Sequence, residues 1–301
     1  MRVSIYMPTK NRLATMQMAV NSVLAQTYQN IELLVVDDGS TDGSREYLKA
    51  LEAREARVKV FLNSQSFGAC YARNIAIQAS TGEFLTGIDD DDEFMPHHIA
   101  ALLDYWHFLE KYETVPVSCI FPQALSRVNS EYKLGQRRVR IAYQSLFEAN
   151  YIGNQIFTRR EYFINTQGFD ESMPAWQDLE FFFRVVKTYG QARLMDIPTY
   201  IFDESPRADR LSVGKKQLIS TSCRLMIEKH AANDPRQQQK LWLQVFSRHY
   251  GFKPDLLELL RFMRLGFWPG GYKRILKSYS LKFKYQVFQK KIIQKDYKEL
   301  V

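Results

Sequence analysis

The chain has 301 residues, 46% of them hydrophobic and 25% charged, a composition typical of a globular protein that is large enough to bury a core. Its cysteines, Cys70, Cys119 and Cys223, lack metal-ligand spacing, no run of about 18 apolar residues occurs and no signal-peptide pattern opens the chain, so we expect no disulfide framework, zinc site, membrane-spanning helix or secretion. From Arg236 onward 15 Lys and Arg oppose 4 Asp and Glu, a net charge of +11, while the first 235 residues carry −3.

Strand-like and helix-like patterns alternate in the first third of the chain. Short apolar runs predict strands at 3–7, 31–36, 58–62 and 83–88. Apolar residues at helical spacing predict helices that begin near residues 16, 44 and 69. Apolar strands that alternate with helices are typical of a mainly parallel central sheet flanked by helices on both faces. We therefore predict an α/β fold.

The remainder of the chain divides near residue 205. Up to about residue 200 the pattern stays mixed, with a strand at 117–121, a partly extended segment at 155–163 and a helix at 179–189. Beyond about residue 206 the pattern is helical, basic and aromatic to the end. We predict an α/β domain at 1–205 and a helical, basic C-terminal region at 206–301.

Four consecutive carboxylates, Asp89, Asp90, Asp91 and Asp92, directly follow the predicted strand that ends at Ile88. Open α/β sheets bind ligands at the carboxyl ends of their strands, and neighbouring carboxylates repel one another unless a cation lies between them. Oxygen ligands select a hard ion, so we expect Mg²⁺ or Mn²⁺ with substrate phosphates completing its coordination. The alternative is a solvated acidic turn before a helix.

A second acidic cluster, VVDDGSTDGS, follows the second predicted strand. Asp38 can accept hydrogen bonds from a base or a ribose, while Gly39 and Gly43 permit a tight turn with positive φ. A turn with a helix cap explains Asp38, Ser40 and Thr41 equally well. The ligand-site interpretation is favoured by the position of this cluster opposite the four aspartates across the predicted sheet.

Five segments, in this order and spacing, resemble the motif set of family 2 glycosyltransferases. They are PTKNR at 8–12, QTYQNIELLVVDDGSTDGS at 26–44, GACYARNIAIQASTGEFLTGIDDDDEFMP at 68–96, GFDE at 168–171 and WQDLEFFFR at 176–184. The resemblance covers about residues 1 to 205, and the C-terminal third has no counterpart. It implies the GT-A fold and transfer of a sugar from a nucleotide diphosphate donor, with inversion of the anomeric carbon.

The resemblance also implies donor-binding roles at matching positions. Pro8, Thr9 and Arg12 would border the nucleotide, and Asp38 would bind the uracil ring. Arg73, in the sequence ARN, would lie near the ribose and the diphosphate.

The aspartate run and a later aspartate receive the remaining roles from the resemblance. Either Asp89 or Asp90 would approach the ribose, since aspartate occupies the variable middle position of the DXD motif here. Asp91 would hold the Mn²⁺ or Mg²⁺ that bridges the diphosphate, and Asp178 would be the general base.

Asp178 has the chemistry that this role needs. An acceptor hydroxyl must lose its proton as it attacks, and an unperturbed aspartate is ionised at neutral pH. Gln177 departs from the acidic residue that the family often has at this position, and Trp176 and Glu180 are candidates for the acceptor side. Asp178 can also be the cap of a helix that begins at Leu179, and the two roles are compatible.

The C-terminal region contains an amphipathic pattern. Apolar residues at helical spacing lie beside two arginines and are followed by aromatic residues: Leu256, Leu257, Leu260, Met263, Arg261, Arg264, Phe267, Trp268, Tyr272 and Tyr279. This pattern favours a helix that lies on an anionic membrane surface. The alternative is a helix packed on its own domain with a solvated basic face. Nucleic-acid binding is not expected, because no motif for it is present.

The expected partners follow by analogy with the family. The donor would be a UDP-sugar that carries galactose or glucose. The acceptor would be a polyprenyl-diphosphate-linked saccharide in O-antigen or capsule synthesis. The enzyme would then work at the cytoplasmic face of the inner membrane. A nucleotidyltransferase would need a glycine-rich, lysine-containing signature that PTKNR lacks. A non-enzymatic membrane- or nucleic-acid-binding module would leave the aspartate clusters without a purpose.

Overall fold

The computed structural model describes residues 1–128, 131–204, 215–247, 249–279 and 290–292. The strands are β1 Val3–Thr9, β2 Ile31–Asp37, β3 Val58–Leu62, β4 Phe84–Gly87, β5 Glu93–Phe94, β6 Val117–Val128, β7 Glu131–Leu134, β8 Arg140–Ile141, β9 Thr158–Arg159, β10 Gln191–Asp203 and β11 Lys290–Ile292. The helices are α1 Leu13–Leu24, α2 Ser44–Arg54, α3 Ala69–Ala79, α4 His98–Tyr112, α5 Tyr143–Leu146, α6 Arg160–Asn165, α7 Gln177–Tyr189, α8 Lys216–His230, α9 Pro235–Val245, α10 Leu256–Arg264 and α11 Pro269–Tyr279.

The first sheet confirms the predicted alternation of strands and helices. Its strand order is β3-β2-β1-β4-β9, and all pairs except β4 with β9 are parallel. In the register, Val3 pairs with Ile31 on one side and with Phe84 on the other. Every residue of β2 is buried, which agrees with a strand covered on both faces. The polar ends of β1, β2 and β4 therefore meet at one edge.

The structure contains a second sheet in addition to the central sheet that the sequence predicts. Its order is β11-β7-β6-β10-β5, with β8 paired to β10. The parallel partners β6 and β10 have 12 and 13 residues, and they pair across a long sequence separation that local patterns do not reveal. Ile120 of β6 forms an antiparallel bridge with Phe157, next to β9, so the two sheets meet there.

The core lies on both faces of the first sheet. On one face Ile5, Val35 and Phe84 pack with residues of α1, α2 and α4. On the other face Tyr6 and Leu34 pack with residues of α3 and α7. Alternate residues of each strand thus enter opposite layers, as the pleat of a strand requires.

The C-terminal helices α8 and α9 share the second of these layers. Met226 and Leu241 are fully buried in the same cluster as Tyr6. The predicted helical pattern is confirmed for α8 to α11, but it does not continue to the end, because β11 pairs antiparallel with β7. The edge of β7 offers unpaired backbone groups that favour such an addition. No helix in the described part of the chain combines the length and the apolar content that a bilayer crossing requires.

Candidate active site

The polar ends of β1 and β4 contact each other directly. The hydroxyl of Thr9 donates to Asp90 Oδ2 at 2.8 Å, and Arg12 Nη1 lies 3.4 Å from Asp91 Oδ2. Pro8 is part of β1 beside Thr9. The structure thus brings together the residues that the sequence assigns to the nucleotide side and the aspartate run.

Asp38, at the end of β2, holds the loop that precedes α3. Its two oxygens accept hydrogen bonds from Asn63 Nδ2, Ser66 Oγ and the backbone N–H groups of Phe67 and Gly68, at 2.6 to 2.9 Å. Burial alone would raise the pKa of Asp38, but these hydrogen bonds hold it below its usual value. These four bonds match the acceptor capacity of a carboxylate, so Asp38 shapes the wall of the site.

Glycines allow the close approach of these segments. Gly39 and Gly43 have φ of 83° and 91°, as the turn in the second acidic cluster predicts. A Cβ atom on Gly39 would lie 2.9 Å from the backbone carbon of Gln65. The turn therefore brings the backbone of the 63–68 loop against the end of β2.

Arg73 of α3 joins the aspartate run to α7. Its Nη2 donates to Asp89 Oδ1 at 3.1 Å, and its Nη1 lies 3.2 Å from Gln177 Oε1 and 3.6 Å from Asp178 Oδ1. Its guanidinium also lies over the ring of Phe169 at 5.0 Å. Because Arg73 is only 7% exposed, its charge is neutralised by these two carboxylates and not by bulk water.

Two residues that the sequence analysis missed complete the surroundings of Asp89. Asn154 Nδ2 donates to Asp89 Oδ2 at 3.0 Å, and Gln155 Nε2 donates to Asp89 Oδ1 at 3.2 Å. The hydroxyl of Tyr6 donates to Gln155 Oε1 at 2.9 Å. Gly87 leaves room for this arrangement, since a Cβ atom there would lie 2.2 Å from Gln155 Oε1. Asn154 and Gln155 stand next to each other ahead of Phe157, and this adjacent polar pair was the available signal.

Asp92 is the one fully buried member of the aspartate run, so it has a structural role. It is fully buried and accepts hydrogen bonds from Tyr200 Oη at 2.7 Å, Asn154 Nδ2 at 2.9 Å and the Asp203 N–H at 3.1 Å. Burial raises its pKa well above the ordinary value. Asp92 therefore ties the aspartate run to β10 of the second sheet.

Asp178 lies in the first turn of α7. The helix begins at Gln177, two residues earlier than predicted, with Trp176 as N-cap residue and no side-chain cap hydrogen bond. The interpretation of Asp178 as the helix cap is therefore wrong. Burial raises the pKa of Asp178 to about 6, against the lowering effect of Arg73. Its Oδ1 atom is buried and has no hydrogen-bond partner among the described residues, while 27% of the side chain is exposed.

Glu180, a candidate for the acceptor side, is buried and engaged by neighbouring side chains. It is 1% exposed, and Arg184 contacts both of its oxygens at 2.7 to 3.0 Å. His230 Nε2 of α8 lies 3.3 Å from Glu180 Oε1. The carboxylate is occupied by these partners, so Glu180 joins α7 to α8 and offers no surface to a substrate in this conformation.

Trp176 is held by the C-terminal region. Its backbone has φ of 57°, a left-handed conformation that is uncommon for a bulky residue and persists only when the surroundings enforce it. Its indole N–H donates to Tyr250 Oη at 2.8 Å. Tyr250 in turn stacks on Phe252 with ring centroids 6.0 Å apart. The segment before α10 therefore positions the residue that precedes the Asp178 helix.

The aspartate run fits a divalent cation that takes part of its coordination from a substrate. Within the described ranges, no three His, Cys, Asp or Glu side chains are grouped to hold an ion unaided. Burial raises the pKa of Asp90 to about 7, and the adjacent charge of Asp91 adds to this effect. A cation would relieve this repulsion. Asp91 is 19% exposed, so it can supply a hard oxygen ligand for Mg²⁺ or Mn²⁺ while phosphate oxygens supply others.

Comparison with known proteins identifies the family. Residues 4–166 match the family described as Glycosyl transferase family 2, and the chain belongs to this family. It is 35% identical over 227 residues, covering 73% of this chain and 76% of the relative, to WcaA of Escherichia coli (strain K12), which is named for a glycosyl transferase of colanic acid biosynthesis.

Two further proteins extend the comparison. The chain is 44% identical over 90 residues, 30% of its own length and 35% of the relative, to the Escherichia coli protein named UDP-Glc:alpha-D-GlcNAc-diphosphoundecaprenol beta-1,3-glucosyltransferase WfgD. The crystal structure of S. aureus TarS 1–349 in complex with UDP-GlcNAc superposes with a TM-score of 0.62 at 16% identity, covering 93% of this chain and 84% of that one. The fold is thus the predicted GT-A fold.

We expect Tyr250→Phe to lower turnover by about two- to tenfold, the effect of one lost hydrogen bond on the placement of Trp176 and the start of α7. Affinity for UDP, measured by calorimetry, should stay unchanged, because Tyr250 hydrogen-bonds Trp176 and stacks near His249 and Phe252, which are not among the residues proposed to bind the nucleotide. Tyr105→Phe on α4 is the matched control, since its hydroxyl makes no hydrogen bond within the described residues. Equal turnover in both variants would show that the Tyr250 contact has no positioning role.

Proposed function

We propose that the protein transfers a sugar from a UDP-sugar to a hydroxyl of a lipid-linked saccharide, with inversion at the anomeric carbon. The acceptor would be a polyprenyl-diphosphate-linked intermediate of a bacterial surface polysaccharide such as O-antigen or capsule. Membership of Glycosyl transferase family 2 supports the reaction class. The name of WfgD supports the donor and acceptor classes. The name of WcaA, which refers to colanic acid biosynthesis, supports the polysaccharide context.

The observation that carries the proposal is the position of Arg73 between two carboxylates. Asp89 belongs to the donor-side aspartate run and Asp178 to α7, and both lie within 3.6 Å of the same guanidinium. A base for the acceptor hydroxyl must act on the sugar carbon that the donor presents, so the two carboxylates have to lie side by side. The arrangement supports Asp178 as the general base.

On the donor side we propose that the nucleotide lies along the end of β1. Asp89 accepts hydrogen bonds from Arg73, Asn154 and Gln155 on its two oxygens, whereas Thr9 donates to one oxygen of Asp90. This difference favours Asp90 for the ribose. A divalent cation held by Asp91, Mn²⁺ or Mg²⁺, would neutralise the charge that develops on the leaving diphosphate.

The reaction is a single displacement. The acceptor oxygen attacks the anomeric carbon, a new carbon–oxygen bond forms, and the bond from this carbon to the diphosphate oxygen breaks, so that UDP leaves with the electron pair. The acceptor proton moves to the carboxylate of Asp178. Attack from the face opposite the leaving group inverts the configuration. Arg73 keeps Asp178 ionised more readily than burial alone would allow.

A substrate panel tests the proposed function. We expect transfer from one UDP-sugar, with UDP-glucose and UDP-galactose tried first, to a GlcNAc- or GalNAc-diphosphate-lipid in the presence of Mn²⁺. Product formation followed by mass spectrometry, with the linkage configuration read by NMR, checks both the donor and the inversion. Transfer only from a non-uridine donor, or retention of configuration, would contradict the proposal.

Asp178→Asn should lower turnover by about 10²-fold or more, because it keeps the shape of the side chain and removes the proton acceptor. Calorimetric affinity for UDP with Mn²⁺ should remain near that of the wild type. Asp104→Asn, at an exposed position of α4, is the matched control and should retain full activity.

The pH profile gives a second measure of the same residue. A base with a pKa raised to about 6 loses its activity as the pH falls through that value. The wild-type kcat/KM should therefore have an acid limb near pH 6, and the residual activity of Asp178→Asn should lack it. A variant that retained this limb would assign it to another group.

Asp91→Ala should abolish the part of UDP affinity that depends on Mn²⁺, since this carboxylate is the proposed ligand of the ion. Calorimetry with and without Mn²⁺ measures the difference, and Asp104→Ala is the control. If the folded Asp91 variant still bound UDP more tightly in the presence of Mn²⁺, the ion would have to be held elsewhere.

A further inference from the structure

The outward side of α10 carries a concentrated apolar surface. Five side chains, Leu256, Leu257, Leu260, Met263 and Phe267, are exposed by 71%, 66%, 41%, 44% and 76%, and we call this set the α10 face. Large hydrophobic side chains exposed elsewhere in the described residues are spread over several elements. Contiguous exposed apolar patches mark interaction sites.

The opposite side of the same helix is anchored to the protein. Phe262 is fully buried and packs against Trp242 of α9 and Tyr272 of α11, with ring centroids 5.2 and 5.6 Å away. Asp255 and Glu258 form a capping box at the helix start. Packing on the rest of the chain thus accounts for one side of α10 and leaves the α10 face exposed.

Exposed basic side chains occur on α10, on α11 and just before α10. Lys253, Arg261, Arg264, Lys273 and Arg274 are all exposed, and within the described residues none of them forms an ion pair. The acidic neighbours are already engaged, because Asp255 caps the helix and Glu258 binds Lys216 at 2.8 Å. Within the described residues this positive charge thus has no acidic counterpart, and Arg274 lies over the ring of Trp268 at 5.8 Å.

We propose that the α10 face docks on an anionic lipid bilayer. The apolar side chains enter the boundary between headgroups and acyl chains, while the exposed Lys and Arg side chains lie at the level of the lipid phosphates. The inference rests on the proposed function for its purpose, since a lipid-linked acceptor is reached only at a membrane surface. Its test needs no sugar transfer.

Charge distinguishes the bilayer from two other occupants. In a symmetric dimer the α10 face would meet the α10 face of the second copy, so the basic side chains of the two copies would lie against each other. Residues 280–301 of this chain carry six Lys against one Asp and one Glu, so their net charge is positive, like that of the basic side chains near the α10 face. An anionic surface is the partner whose charge complements it.

The α10 face follows shortly after the residue that holds Trp176, the N-cap residue of the helix that carries the proposed base. Tyr250, which bonds Trp176, precedes Leu256 by six residues, a distance of at most about 21 Å for an extended chain. Docking through α10 would therefore hold the acceptor side of the site within reach of the membrane surface.

Vesicle flotation of the full chain tests the proposal. We expect binding to phosphatidylcholine vesicles that contain phosphatidylglycerol, weak binding to phosphatidylcholine alone, and release as the ionic strength rises from about 0.05 to about 0.5 M. The variant Leu256→Ser/Leu257→Ser/Leu260→Ser should bind at least about tenfold less. Arg261→Glu/Arg264→Glu should lose about tenfold and show a flatter salt dependence.

Matched controls carry the same changes elsewhere. Phe108→Ser removes a side chain of α4 that is 54% exposed, and Lys49→Glu/Arg54→Glu reverses two exposed charges of α2. Both should bind like the wild type. Thermal midpoints and UDP-sugar hydrolysis, measured without lipid, should be unchanged in the α10 variants, so a failure of docking is distinguishable from a failure of the proposed reaction.

Several outcomes would overturn the inference. These are binding that the α10 variants do not change, equal loss in the controls, or no binding by the wild type at low salt. A wild-type dimer that the serine variant dissociates, seen by light scattering, would assign the α10 face to a second copy. A large fall in thermal midpoint of the serine variant would assign it to another part of the same chain.

Discussion

The site depends on a buried guanidinium that two carboxylates share. Arg73 is almost fully buried, so the loss of either Asp89 or Asp178 would leave its charge poorly compensated and would destabilise the folded protein. The two acids come from different parts of the chain, one after β4 and the other at the start of α7. Their common partner holds Asp89, on the proposed donor side, near Asp178, the proposed base. Preorganisation of this kind lowers the cost of bringing reacting groups into register.

A chain of hydrogen bonds extends this constraint to both sheets. Gln155 connects Asp89 to Tyr6 of β1, while Asn154 connects Asp89 to Asp92, which in turn accepts from Tyr200 of β10. These partners satisfy buried polar groups that would otherwise carry a desolvation cost. The aspartate run is thereby set at the junction of the two sheets. Asp90 and Asp91 of this run remain partly exposed and can therefore contact a ligand.

The first sheet and its polar edge could be predicted because their signals are local. β1, β2 and β4 are short apolar runs that end in polar residues, and parallel strands place such ends together. The second sheet could not be predicted, since β6 and β10 pair across a separation for which no local pattern exists. The roles of Asn154 and Glu180 escaped for the same reason. The sequence does not reveal the partners of a polar side chain. In the structure Asn154 donates to Asp89, whereas Glu180 forms an ion pair with Arg184.

The C-terminal region is coupled to the catalytic part at three levels. Its helices α8 and α9 fill the same core as β1, His230 contacts Glu180 of α7, and Tyr250 holds Trp176, the N-cap residue of α7. A truncation near residue 250 would therefore remove the α10 face and also disturb the surroundings of Trp176. A loss of activity in such a truncated protein would not show that the α10 face binds a membrane. Substitutions on the exposed side of α10 avoid this ambiguity, because those side chains project away from the buried Phe262 that fixes the helix. They separate attachment to a surface from assembly of the site, which deletion of the segment cannot do.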